Sequence, residues 1–421
     1  MQDPQLEEAL DRIEACRRSG ASSLSLSGLG LTTLPSEACQ LAQLTHFDAS
    51  NNSLTDLPAD ISQLVALMEL DVSRNKLANL PPAIGQLSAL TALHATGNDL
   101  AALPQEIGQL SAMERLYVGR NHLIFLPPEI GGLRALRELH LSDNELIMLP
   151  PEVGKLTALT KLYLSFNKLV TLPPEIGQLG KLRGLYVTGN QLKTLPPEIG
   201  QLSSLNEINL RENKLRELPV EICDMPNLYK LHANRNDLSQ LPEEIGQLTA
   251  LTELHVRENR LESLPAQIGN LAALRELYVR QNELINLPPE IGRLCNLARL
   301  DASFNKLREV PSEIGQIEAL RTLQLDHNEL TALPTEIGQL EALTALRLDH
   351  NDLISLPAVI GELTALSTLD LRVNRLTSLP PELGGLAALT KLFVSGNDLL
   401  GLPPEIKELK NLLEFDLDPN G

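Results

Sequence analysis

Tryptophan is absent from this 421-residue chain, and aromatic residues of all kinds make up only 3% of it. Rings therefore cannot fill the interior, and something smaller has to do so by repetition. Cysteine is nearly as scarce: Cys16, Cys39, Cys223 and Cys295 lie far apart. They fit no disulfide framework or metal-finger spacing, so a reducing, cytoplasmic setting is expected. No apolar run approaches the length that spans a bilayer, and no basic-then-apolar leader opens the chain. Positive charge is in deficit, with 35 Lys and Arg against 54 Asp and Glu, a formal net charge of −19. A nucleic-acid groove needs the opposite balance. The GxxxxGK[ST] phosphate loop does not occur either, so a GTPase of that build is not on this chain.

What is present is a period. Asn52, Asn75, Asn98 and their successors as far as Asn420 follow one another at an unbroken spacing of 23 residues. Each stands in the frame LxxLxLxxNxLxxLPxxIGxLxx, the leucine-rich-repeat signature. An earlier copy, "LSLSGLGLTTLP", has Leu29 in the Asn place. About 18 frames result, the last cut short. One frame cannot bury its own apolar face, so stacking in register makes the core. The expected fold is an α/β horseshoe, a leucine-rich-repeat solenoid with a concave parallel β-sheet and a convex side of turns or 3-10 helix. In "LxLxx" the leucines point inward and the x residues outward. "LPPEIGQL" returns the chain, its Pro pair and Gly favouring a tight path over a full helix. The Asn amide is read as buried at the strand exit, satisfying backbone groups of its own turn and of the next coil.

The domain reading is a capping helix over residues 1–20 followed by one solenoid over residues 21–421. In "DPQLEEALDRIEACRRSG", Asp3 is the N-cap, Leu6, Leu10, Ile13 and Cys16 form one face, and Gly20 is the stop. "EFDLDPNG" carries no capping segment after Asn420, which reads as a piece cut from a longer protein. Most of the negative charge is consensus, because the outer turns carry Glu from Glu37 and Glu106 to Glu382 and Glu405. The outward strand positions sum to near neutrality.

Departures from the frame locate the candidate site. The central outward strand position reads His94, Tyr117, His140, Tyr163, Tyr186, Asn209, His232, His255 and Tyr278 in consecutive frames. Two residues further on, a column of small residues turns to Arg211, Asn234, Arg257 and Arg280, then returns to Ser303. Arg235 lies beside them. A plain account exists: Tyr and His suit exposed strands, and Glu207, Glu253 and Glu276 can pair with the arginines. Arg257→Ser and Arg280→Ser are expected barely to change stability, since exposed ion pairs contribute little. The alternative is a protein-binding surface made of Tyr117, His140, Tyr163, Tyr186, Arg211, His232, Arg235, His255, Arg257, Tyr278 and Arg280. Tyr and Arg are interface anchors, and a concave solenoid face is where such proteins bind. No cofactor or catalytic residue is expected. Cys223 stands where the frame has Gly, with no His assigned to activate it. The repeated "LDHN", with Asp326, His327, Asp349 and His350, is read as hydrogen-bonded neighbours in preference to a metal site.

The uninterrupted "LPPEIGQLxxLxxLxLxxNxL" frame resembles the Ras-suppressor-like class of leucine-rich repeats. Together with "ALDRIEACRRSGASSLSLSGLGLTTLP" it looks like the start of bacterial Roco proteins. The resemblance implies a non-catalytic regulatory and partner-binding module, preceding a Ras-like GTPase domain (Roc) and a dimerising COR domain. Its partner would be protein: those domains, a second copy, or an unrelated chain, with no nucleic acid or membrane. The alternative is the repeat portion of a bacterial effector or other scaffold attached to an enzymatic domain.

Overall fold

The computed structural model describes residues 4–417. Asp3 and Asn420, read as a helix cap and as the last of the Asn series, lie outside them. The chain divides into two compact units, Met1–Asn209 and Leu210–Gly421.

The first unit opens on a helix, Pro4–Ser19, whose buried residues are Ala9, Ile13 and Cys16. Gly20 ends it at φ +68°, its N–H donating to Cys16 O. The expected apolar face is thus shifted: Leu6 is 41% exposed and Ala9 takes a core place. The helix packs on the strand Ser23–Ser25 and the short helix Ser36–Cys39.

Among the described residues nine parallel strands follow one another in the first unit, from Ser23–Ser25 to Glu207–Asn209, and nine in the second, from Lys230–His232 to Glu414–Asp416. Strands pair 23 residues apart without slippage, as in Tyr163 opposite Tyr186 and Leu254 opposite Leu277. The middle leucines of these strands are fully buried. Opposite the strands run five-residue 3-10 helices such as Gln105–Gln109 and Pro289–Arg293, each entered from an extended Pro. A Pro-fixed φ and the lack of a donor suit that short turn and preclude a long helix. In the second unit the apolar layer opens at the strand Glu414–Asp416, where Leu413 is 84% and Phe415 40% exposed.

The Asn series is a hydrogen-bonded ladder. Asn75 Nδ2 donates to Val72 O and to Ala49 O, both at 3.0 Å, and Asn75 Oδ1 accepts the Leu54 N–H at 3.0 Å. Asn259 repeats this with Val256, Ala233 and Leu238. The inter-coil partners belong to the preceding coil, not the next one as expected. The residue before the Asn is left-handed, as Arg74 at φ +53°, and its own N–H runs the other way, to Thr96 O of the following coil.

The glycine of "EIG" has a different job from making a turn. A Cβ on Gly108 would lie 2.2 Å from Glu129 O in the following coil, so neighbouring 3-10 helices touch backbone to backbone there. Gly108→Ala is expected to cost about 1–3 kcal/mol in a denaturant titration, as overpacking does. Gly180→Ala, with nothing within 4 Å of its new methyl, is the control that should stay near wild type.

Candidate protein-binding face

In-register parallel strands place equivalent residues about 4.8 Å apart, close to the separation at which flat rings stack. The frame's central outward position therefore becomes a stack of rings. In the first unit, centroids are 4.6 Å apart for His94 and Tyr117, 4.3 Å for Tyr117 and His140, 4.0 Å for His140 and Tyr163, and 4.7 Å for Tyr163 and Tyr186. Glu138 ties the stack down. It accepts from Tyr117 Oη at 3.3 Å, meets His140 Nε2 at 3.5 Å and pairs with Lys161 at 3.2 Å. Burial alone would raise the Glu138 carboxyl, but hydrogen bonds and charge from Lys161 hold it below the usual range. Burial raises the Tyr117 and Tyr163 hydroxyls and lowers His140. Tyr186 donates to Glu207 at 3.0 Å, and its ring lies over Gly184, where a Cβ would stand 2.8 Å from the ring. That glycine, in a column otherwise full of longer side chains, is the sequence signal for the ring's pose.

In the second unit His232 and His255 stack at 4.1 Å with planes 4° apart, and Tyr278 meets His255 edge-on at 4.5 Å. Arg257 lies over the Tyr278 ring at 3.9 Å and reaches Asp301 at 3.4 Å. Arg280 lies over Phe304 at 4.2 Å and donates to Ser303 Oγ. Arg235, on the left-handed turn at φ +55°, sits between Glu212 and Glu258 at 3.0 and 2.9 Å. Arg211 pairs with Glu212 at 3.1 Å.

The expected pairing of Glu253 and Glu276 with the arginines of the column is not what forms. Glu253 takes Lys230 at 2.9 Å and His232 at 3.4 Å, while Glu276 takes Arg299 and has His255 at 3.7 Å. The first outward position of each strand faces its equivalents on neighbouring strands, and these supply the cations. Freed from Glu, Arg257 and Arg280 lean onto rings one coil ahead. Burial, with the charge of His232, pushes His255 down to about 3, so its ring is neutral near pH 7. Its Nε2 and the Arg257 Nε are buried without a hydrogen-bond partner. Unsatisfied buried polar atoms are uncommon, and these two lie on adjoining side chains of one face.

The other candidates fall elsewhere. Cys223 is buried in the 3-10 helix Val220–Asp224, and burial, with the charge of Glu244 and Asp224, pushes its thiol up to about 12, far from a nucleophile's range. No helix among the described residues is long and apolar enough to cross a membrane.

A stacked array of 23-residue strand-and-turn coils with residue variation on the sheet face defines a repeat scaffold, a class that generally works as a non-enzymatic protein-interaction platform. Profiles of a leucine-rich repeat region match residues 126–207 and 174–260, and a further leucine rich repeat profile matches residues 295–353. A leucine-rich-repeat protein of Leptospira interrogans is 37% identical, with 98% of each chain covered and a TM-score of 0.77. The plant peptide hormone receptor RGFR1, solved in complex with RGF2, is 30% identical over 94% of this chain and 74% of its own, TM-score 0.69. The Arabidopsis receptor kinase HAESA, in complex with the peptide hormone IDA and the co-receptor SERK1, is 29% identical over 95% and 74%, TM-score 0.69. No curated relative matches. The chain belongs to the leucine-rich-repeat proteins.

Proposed function

We propose that this chain is the N-terminal regulatory repeat domain of a larger Roco-type GTPase, and that it binds protein through the sheet faces of its units. The GTPase and COR segments of the same protein are the intended partners. The observation that carries the binding assignment is the fixed pose of the rings and of Arg257. Stacked on one another and held by Glu138, Glu207 and Asp301, they lose little freedom on docking, and preorganised aromatic and Arg side chains make good anchors. The complexes of RGFR1 and HAESA supply a precedent for peptide and protein ligands on such arrays. The Roco context rests on the resemblance of the frame and of the opening helix.

The test begins with the reading frame beyond codon 421. A GxxxxGK[ST]-containing GTPase segment is expected there, and its absence would overturn the Roco part of the proposal. That segment, together with the dimerising one, is then titrated calorimetrically into wild-type chain and into Tyr186→Ala and Tyr278→Ala. Each substitution should weaken binding at least roughly tenfold, about 1.4 kcal/mol, with circular dichroism unchanged. Wild-type affinity in both variants, alongside loss of binding when Glu175 and Glu198 on the outer turns are changed to Gln, would move the contact to the acidic 3-10 side.

A further inference from the structure

The sequence L-D-H-N occurs at 325–328 and again at 348–351, on neighbouring coils of the second unit. Its four polar side chains converge. His327 Nδ1 is 3.2 Å from Asp326 Oδ2 and 4.0 Å from Asp349 Oδ2, and His350 Nδ1 is 3.0 Å from the same Asp349 oxygen. The imidazoles stack at 4.1 Å with planes 11° apart, and Phe304 covers the outer face of His327 at 3.8 Å. Both carboxylates are buried, at 7% and 8% exposure, while His350 is nearly half exposed at its side chain. We propose that His327, Asp349 and His350, with Asp326 in support, form a binding site for a borderline divalent transition ion such as Zn²⁺.

The donor set argues for that class. Imidazole nitrogen with carboxylate oxygen suits Zn²⁺ and its neighbours in the transition series, and hard ions such as Ca²⁺ prefer oxygen alone. One atom from each of the three residues lies within 4.8 Å of the others, so a short contraction brings them to a common ion. Each Nδ1 faces an aspartate oxygen across a hydrogen bond, so an ion displaces the bridging proton and one ring turns about χ2 to share it. The exposed His350 has the room to do so. Electrostatics also favours this place. Two like-charged carboxylates are buried on adjacent coils, both within reach of the His327 ring. A divalent ion offsets that repulsion. Arg347, Arg372 and Lys391 line, with Asp326 and Asp349, a cavity of about 450 Å³; Arg372 is engaged by Asp370 and Lys391 by Glu414. The second His and carboxylate group, His232, Glu253 and His255, lacks this advantage. There Lys230 Nζ stands 2.9 Å from Glu253 and Arg257 is close by, so a cation meets like charge.

Calorimetric titration of ZnCl₂ into the tag-free full chain should show one site per chain, and CaCl₂ should show none. His350→Gln and His327→Gln should each weaken Zn²⁺ binding at least roughly tenfold, since loss of even an outer-shell partner has that effect. The double variant His232→Gln/His255→Gln should bind as wild type. Co²⁺ soaked into the same chain should develop visible absorption bands that His350→Gln removes, which tests coordination apart from folding. No Zn²⁺ heat, unchanged affinity in both His327 and His350 variants, or loss confined to the His232/His255 variant would each overturn the assignment.

Discussion

Replacing Asn167 with leucine is expected to lower the stability of the chain by about 2–4 kcal/mol. The side chains share a branched outline, with leucine the bulkier, so lost hydrogen bonding is joined by some overpacking. Asn167 is 7% exposed; its Oδ1 accepts the Leu146 N–H at 3.0 Å, and its Nδ2 donates to Leu141 O at 2.9 Å and Leu164 O at 3.0 Å. Leucine leaves the Leu146 N–H buried without a partner, at about 1–3 kcal/mol before relaxation, and takes one of two amide donors from Leu141 O and Leu164 O, which keep those of Asn144 and Asn190. Neighbouring coils share the damage, because the cut bonds are those that join one coil to the one before it. The measurement is a urea titration followed by circular dichroism, with Asn286→Leu, an exposed Asn outside the series, as the reference expected to stay within about 0.5 kcal/mol. Equal midpoints for the two variants would mean that the ladder is incidental to stability.

The part of this structure that could be read from the sequence is the part that the period controls. A spacing of 23 without interruption fixes strand register, so Tyr163 opposite Tyr186 and His232 opposite His255 follow from counting. The Pro pair and Gly forecast a short return path, and the 3-10 helices are that path. A translational repeat looks the same from the coil before and the coil after, however, and the direction of the Asn bonds was lost in that symmetry. Only the handed path of the chain in space decides it. The capping helix shows a second limit: a 3.6-residue pattern names a candidate face but not where that face meets its neighbour, so the pattern favours Leu6 while the core takes Ala9. The arginine partners show a third. Long side chains choose among several acceptors within reach, and the winner depends on what the strand-start position has already taken. Glu253 and Glu276 were occupied by Lys230 and Arg299, and that left Arg257 for Tyr278 and Asp301.

That last pairing reverses an expectation about stability. Treated as an exposed ion pair, Arg257 could be exchanged for the serine found elsewhere in its column at almost no cost. Asp301, however, is 3% exposed, and its remaining contacts are to the N–H and hydroxyl of Ser303. Removing the guanidinium leaves a buried carboxylate short of countercharge and strips the cover from the Tyr278 ring. A fully buried pair broken on one side loses about 3–5 kcal/mol, and the Arg257 side chain, 36% exposed, brings water that reduces this to about 1–3. Arg280→Ser, which gives up only a ring contact and one hydrogen bond, should cost no more than about 1 kcal/mol. Asp301→Asn removes the charge that needs Arg257, so the double variant Arg257→Ser/Asp301→Asn should be more stable than the sum of the single losses predicts, with a coupling of at least about 1 kcal/mol in a double-mutant cycle. Strict additivity, or Arg257→Ser and Arg280→Ser of equal stability, would show that Asp301 does not depend on Arg257. A weakened partner titration in Arg257→Ser would then report the loss of a binding group alone. If the coupling is found, the same variant changes the pose of Tyr278 as well, and the binding role of Arg257 has to be measured in the Asp301→Asn background, where the fold no longer leans on it.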